Sequence, residues 1–329
     1  MTQPIQVVGN YEFLGIVDKP RAGVTHKVRN LSTGEIEALR MLPGAAYGDP
    51  ESLGRFLREI KIHTRLSHPN VVAFHDAWQM DGRLVMTTEY VEGTTLAQMC
   101  RRGPLPSDLA IRAICDVLLG LDEAHSLGIV HRGITAEHVT ITPDGRVKLG
   151  GFGLAKPALD VNLTQAGAVV GDPRYMSPEQ VTGITTLDSR ADIYSVGVLL
   201  FEALTGRVPF EGENDFDIMA AQVSTEPRRP SSWNPAVSPE LDRIVLTALA
   251  KNPGRRFSTA KEFRVALAAL NGPVRVTAQA GQQEDTPVET APPRFLVQGE
   301  PSGRPKMAFV LGFVGIAAGL IILLIMKMH

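Results

Sequence analysis

The spacing of apolar residues changes near Gly93, and this change constrains the fold more than any other feature of the chain. From about residue 11 to residue 91 the sequence reads as strands around one helix. Strand-like runs cover 11–17, 36–42, 71–78 and 84–90, with turn signals such as Asp81-Gly82 between them. The helix covers roughly 51–66, where Leu53, Phe56, Leu57, Ile60 and Leu66 recur at helical spacing, and His68-Pro69-Asn70 stops it. Beyond Gly93 the pattern is mainly helical. Ser107 is the expected N-cap of a helix carrying Ile114, Val117, Leu118 and Leu121. Two short strands, 139–141 and 147–149, flank the turn Pro143-Asp144-Gly145. Residues 191–204 are apolar nearly all round and close on Gly206, which predicts a buried central helix with a glycine cap. Further helices are expected over 239–250 and 259–270, the last opening on a capping box from Thr259 to Glu262. Strands first and helices after is an α+β pattern, here in two lobes at about 11–91 and 94–272.

From 273 to 306 the composition shifts to Gln, Glu, Pro, Gly and Thr, which predicts a disordered linker spanning roughly 30–35 Å. A run of about twenty apolar or small residues then starts at Met307 and ends at Met326, the length of a transmembrane helix. Arg294, Arg304 and Lys306 precede it, whereas only Lys327 and His329 follow. The expected protein is therefore single-pass and tail-anchored, with its globular part in the cytoplasm and residues 327–329 as a short tail outside. Gly315 and Gly319, with Ala308 and Gly312, form a small-residue face suited to a homodimer. The first ten residues lack a signal-peptide pattern. A formal net charge of −2 gives no bias towards nucleic acid. Cys100 and Cys115 fall in predicted helices as free thiols of a reducing compartment, and neither they nor the eight His show metal-ligand spacing.

Several short motifs stand in a definite order. His131-Arg132-Gly133-Ile134-Thr135-Ala136-Glu137-His138 is followed by Gly151-Phe152-Gly153. Before them come Glu37-Ala38-Leu39-Arg40, Glu59 and Glu89-Tyr90-Val91; after them come Tyr175-Met176-Ser177-Pro178-Glu179-Gln180, Asp192 with Gly197, and Arg256. The set resembles the eukaryotic-type (Hanks-type) protein kinase family over about residues 11–270, with its nearest likeness among bacterial membrane-anchored Ser/Thr kinases. The resemblance implies a two-lobed protein-kinase-like fold, a small β-rich lobe with one helix and a larger helical lobe. It implies structural roles for His131 and Phe152 in an apolar spine, for Asp192 beneath the catalytic loop, and for a buried Glu179–Arg256 ion pair.

The chemistry-bearing positions depart from that family. Gly133 stands at the catalytic base, Thr135 at the loop lysine, His138 at the metal-binding Asn, Gly151 at the metal-binding Asp, and Asp172 at a bracing Thr. Phosphoryl transfer needs a proton acceptor and Mg²⁺ ions bridging the phosphates. Glycine supplies neither, and imidazole is a poor ligand for Mg²⁺. In the phosphate loop only Gly23 remains, beside a proline without an N–H. Ala38 keeps the adenine roof, and Glu89 and Val91 flank the hinge. Arg40 replaces the strand lysine and is expected to pair with Glu59 rather than with phosphate. The expectation is a degenerate kinase that scaffolds or regulates protein partners, an active kinase or its substrates. It needs no cofactor, and its site holds no metal, since His131 and His138 lack a third ligand. The alternatives are a weak or atypical Ser/Thr kinase using ATP and Mg²⁺, with Asp172, Glu137 or Asp144 displaced into service, and a nucleotide sensor without turnover.

Overall fold

The computed structural model describes residues 6–18, 24–44, 47, 49–80, 82–157 and 171–271. The expectations at Gly23, along 273–306 and along 307–326 lie outside the described residues. Among the described residues no helix is long and apolar enough to cross a membrane. Both lobes belong to one compact unit, Met1–Arg275.

The first lobe is a six-stranded antiparallel sheet built from β1 (Gln6–Val8), β2 (Tyr11–Asp18), β3 (Thr25–Asn30), β4 (Ile36–Met41), β5 (Phe74–Met80) and β6 (Arg83–Glu89), in the order β1-β2-β3-β4-β6-β5. The period-2 pattern overlooks β3, because Val28 is its only buried residue and the remainder is polar. Pairing to β2 on one side and β4 on the other holds it in place. The expected strand at 71–78 begins three residues late. Val71 forms only an isolated bridge to Leu149, and regular pairing starts at Phe74. Along β4 the side chains alternate, so Glu37 and Leu39 share one face while Ala38 and Arg40 share the other. Leu39 packs with Tyr11, Val28 and Val85 on the outer face. On the inner side lies helix α1 (Pro50–His63), where the Asp49 carboxylate accepts the N–H groups of Glu51 and Ser52. Its Phe56 packs with Leu42 and Met86.

Gly93 marks the crossing between lobes for a steric reason. A Cβ there would fall 2.8 Å from Thr140 Cγ2 and 2.9 Å from the Ile141 carbonyl carbon. The second lobe follows with β7 (Thr94–Thr95), α2 (Leu96–Cys100), α3 (Ser107–Ser126), β8 (Ile129–Val130), β9 (Val139–Ile141), β10 (Val147–Leu149), β11 (Lys156–Pro157), α4 (Pro178–Val181), α5 (Ser189–Thr205), α6 (Asp215–Ser224), α7 (Pro239–Ala248) and α8 (Ala260–Ala268). Helix α5 runs through the core with Tyr194 and Phe201 fully buried, against α3, α7 and α8. Two cap expectations need correction. Ser107 is the first helical residue of α3, and Pro106, whose side chain carries no hydrogen-bonding atom, occupies the cap. Thr259 does accept the Glu262 N–H, but the Glu262 carboxylate returns to Ser258 N–H at 2.7 Å instead of closing a reciprocal box. Cys100 and Cys115 are unpaired, and burial pushes their thiols up to about 12 and about 11, so neither is a ready nucleophile.

Helix α5 ends on Gly206 in the left-handed region at φ 73°, with its N–H donating to Glu202 O at 2.7 Å. A Cβ there would also press on Gly103 and Pro104 at 3.3 Å. Gly206→Ala is therefore expected to cost about 1–2 kcal/mol, read as a fall in the denaturant midpoint.

Candidate functional site

The loop between β8 and β9 is held from below by Asp192 on the first turn of α5. Its carboxylate accepts the His131 N–H at 2.8 Å and the Arg132 N–H at 2.9 Å, and His125 Nε2 donates to it at 2.8 Å. Burial alone would raise this carboxyl, but the His125 hydrogen bond and the neighbouring charges outweigh it and hold the group below its ordinary range. These bonds stabilise Arg132 at φ 62°, a conformation that side chains other than glycine seldom adopt.

Above Asp192, His131 is fully buried with its rings' roles fixed. Nε2 donates to Gly150 O at 2.9 Å, and Nδ1 accepts the Gly133 N–H at 3.2 Å. The ring lies 4.4 Å from that of Phe152, which in turn sits 5.6 Å from His63 on α1. This stack joins the two lobes. Burial pushes the His131 imidazole down to about 4, so it is neutral near pH 7. Such a group binds protons less readily folded than unfolded. Its stabilisation is complete above about pH 6.5 and is lost as the pH falls towards 4. Buried His63 is lowered for the same leading reason and adds to the slope. Stability should thus fall by about 1 kcal/mol from pH 7 to pH 5.5 through His131 alone, a slope that His131→Gln should flatten in thermal melts.

The substituted positions pack against one another. His138 Nδ1 donates to the Gly133 carbonyl at 2.7 Å, with the Thr135 hydroxyl at 3.3 Å. Gly151 is left-handed at φ 80°, and a Cβ built on it would lie 2.5 Å from His138 Nδ1 and 2.6 Å from Cδ2. The imidazole thus fills the volume that a side chain at residue 151 would enter. At Gly133 a Cβ would meet Leu154 Cδ1 at 3.1 Å. Two glycines and an imidazole offer no pair of oxygen ligands, so the site does not fit the Mg²⁺ ions of phosphoryl transfer.

The acidic residues nearby are already engaged. Asp172 accepts the Arg174 N–H at 3.0 Å and grips its guanidinium at 2.9 and 3.1 Å. Glu137 pairs with Arg101 and accepts the Thr95 hydroxyl at 3.3 Å. Asp144 is bound within its own turn to Arg146 and Thr142. Asp172 and Glu137 border a groove of about 370 Å³, together with Thr135 and Glu202. The Tyr175 hydroxyl donates to Glu202 at 2.6 Å, and burial raises the Glu202 carboxyl.

In the first lobe Arg40 pairs with Glu59 and lies over the Phe56 ring at 5.3 Å, tying β4 to α1. Ala38 is paired with Lys27 and Thr88 in the sheet, beside the hinge. Glu89 bonds Lys148 Nζ at 2.6 Å and the Ala73 N–H at 3.0 Å, which fastens the end of β6 to β10; half-buried Val91 follows. In the second lobe Arg256 grips Glu179 through two bonds of 2.6 and 2.8 Å. His125, Lys148 and Leu154 carry much of this arrangement, yet no sequence signal marks them, since each meets its partner only through the tertiary fold.

A family profile described as "Protein kinase domain" matches residues 11–266. Among curated proteins the chain is 35% identical over 290 residues to a probable serine/threonine-protein kinase of Streptomyces coelicolor, covering 85% of this chain and 43% of the relative. It is 35% identical over 273 residues to the serine/threonine-protein kinase pkn3 of Myxococcus xanthus, covering 79% and 50%. It is 34% identical over 278 residues to the serine/threonine-protein kinase PknB of Mycobacterium tuberculosis, covering 82% and 44%. The chain thus spans about half the length of these relatives. The crystal structure of the Mycobacterium tuberculosis PknI kinase domain superposes with a TM-score of 0.63 at 25% identity, over 82% of this chain and 99% of that one.

Proposed function

The chain belongs to the protein kinase domain family, and we propose that it is a degenerate member, a pseudokinase that binds and regulates protein partners rather than transferring phosphate. One observation carries this reading: the His138 imidazole, bonded to the Gly133 carbonyl, occupies the space a side chain at Gly151 would need. A base and two metal ligands are replaced together by groups that fit one another, while the Asp192, Arg40–Glu59 and Glu179–Arg256 scaffold stays bonded. General base catalysis is worth roughly 10²–10⁴ in rate, and metal stabilisation adds several kcal/mol. The partner surface would be that of an active kinase or its substrate, held near a membrane by the run from Met307 to Met326.

A second reading, an ATP-dependent Ser/Thr kinase, is favoured by the relatives, whose names are those of serine/threonine kinases. It requires a proton acceptor and metal oxygens drawn from Asp172, Glu137 or Asp144, each of which must first leave an arginine. Thermal melting of the full chain with ATP, with and without Mg²⁺, separates the two. The degenerate reading expects no Mg²⁺-dependent shift; a rise of several degrees that needs both ligands favours the enzyme.

A further inference from the structure

The outer face of the first-lobe sheet holds a cluster of ligating groups that the site above does not use. Glu35 precedes β4, Glu37 lies within it and His75 lies in β5, and one ligand atom from each falls within 4.8 Å of the others. Strand alternation puts Glu37 on the face opposite Ala38 and Arg40, away from the cleft. The β5–β6 pairing slips between Phe74 and Asp76, so His75 is an extra, bulged residue. Bulges re-aim side chains, and here His75 Nδ1 comes to 3.6 Å from Glu37 Oε1.

Glu37 supplies an independent sign of a missing partner. It is only 3% exposed. Its Oε1 accepts the Asn30 side-chain amide at 3.0 Å, while its Oε2 is buried without a hydrogen-bond partner among the described residues. Leaving a buried carboxylate oxygen unmatched is costly. Among the described residues no Lys or Arg forms an ion pair with Glu37, whose one ionisable partner is His75. Glu89 lies directly across from Glu37 in the β4–β6 register, and Lys148 is committed to Glu89.

We propose that Glu35, Glu37 and His75 form a site for a divalent transition cation, Zn²⁺ in particular. Glu37, oriented by Asn30, gives a buried carboxylate oxygen and His75 an imidazole nitrogen. Glu35 closes the site from the exposed side, through which the ion enters. Two carboxylates with one imidazole suit Zn²⁺ in its open arrangement of three protein ligands plus water, whereas Mg²⁺ and Ca²⁺ prefer all-oxygen sets. The ion would clip β4 to β5, which flank β6 in the sheet. Sequence spacing hides the site, because its ligands come from a turn, a strand and a bulge some forty positions apart. The assignment stands whether or not the chain transfers phosphate.

Full-length protein stripped with a chelator and titrated with ZnCl₂ in excess Mg²⁺ tests this, with calorimetry and plasma mass spectrometry as readouts. About one Zn²⁺ per chain and a raised melting temperature are expected. His75→Ala and Glu37→Gln should each weaken binding at least about ten-fold. His75 is partly exposed, so its variant keeps the test decisive if Glu37→Gln folds poorly. A wild-type chain that retains no stoichiometric zinc overturns the assignment, as does unchanged affinity in His75→Ala.

Discussion

Arg256→Ala is expected to destabilise the protein by about 3–5 kcal/mol. The Arg256 side chain is fully buried and the Glu179 side chain is 9% exposed, so removing the guanidinium strands a carboxylate with little access to water. The same guanidinium also donates to the carbonyls of Ala250 and Lys251, just after α7, and of Arg190 at the start of α5, so it ties both to Glu179 on α4. Three carbonyls and a carboxylate lose their donor at once. Arg256→Lys should recover little, because an ammonium cannot reproduce the fork that grips both Glu179 oxygens. Urea unfolding of the full chain gives the number. A loss below about 1 kcal/mol for the alanine variant would mean that the pair is not a support of this fold.

Gly151→Asp, the change that would place a carboxylate where the kinase pattern carries its metal-binding Asp, is expected to destabilise the chain by about 2–5 kcal/mol. Part of this, about 1–2 kcal/mol, comes from placing a side chain at φ 80°. The remainder, about 1–3 kcal/mol, comes from the clash with the His138 ring, which cannot bend away as a flexible side chain would. The companion change His138→Asn removes the ring. In the double variant most of the clash cost should be relieved, a coupling of about 1–3 kcal/mol between positions 13 residues apart. If the single variant is as stable as the parent, or the two changes simply add, the packing of His138 over Gly151 is not what excludes a carboxylate.

How far the sequence discloses this molecule depends on the range of the forces involved. The division at Gly93 was legible because hydrophobic period is a local signal, and so was the central helix, whose apolar surface ends on Gly206. Strand β3 was not, because a strand paired on both sides needs few buried side chains and Thr25–Asn30 has only Val28. Helix α6, Asp215–Ser224, escaped for a similar reason: only Gln222 is buried along it. At Ser107 a favourable cap residue stood one position too late, behind a proline whose fixed φ already sets the entry to the helix. Within the site, residue types alone indicated that Gly133 and Gly151 lack the needed oxygens. The packing of His138 between them was invisible, since it depends on a left-handed glycine and on the path of β9 and β10. Scaffold and chemistry therefore separate. The bonds through Asp192, Glu59 and Arg256 maintain a kinase-like frame, while Gly133, His138 and Gly151 pack against one another at its centre.

The most direct measurement is phosphate incorporation by the full chain given radiolabelled ATP, Mg²⁺ or Mn²⁺ and a Ser/Thr peptide, with labelled positions mapped by mass spectrometry. The account predicts no label above that of the Arg40→Ala chain. Metal-dependent phosphate on Ser or Thr that disappears in Arg40→Ala would contradict it.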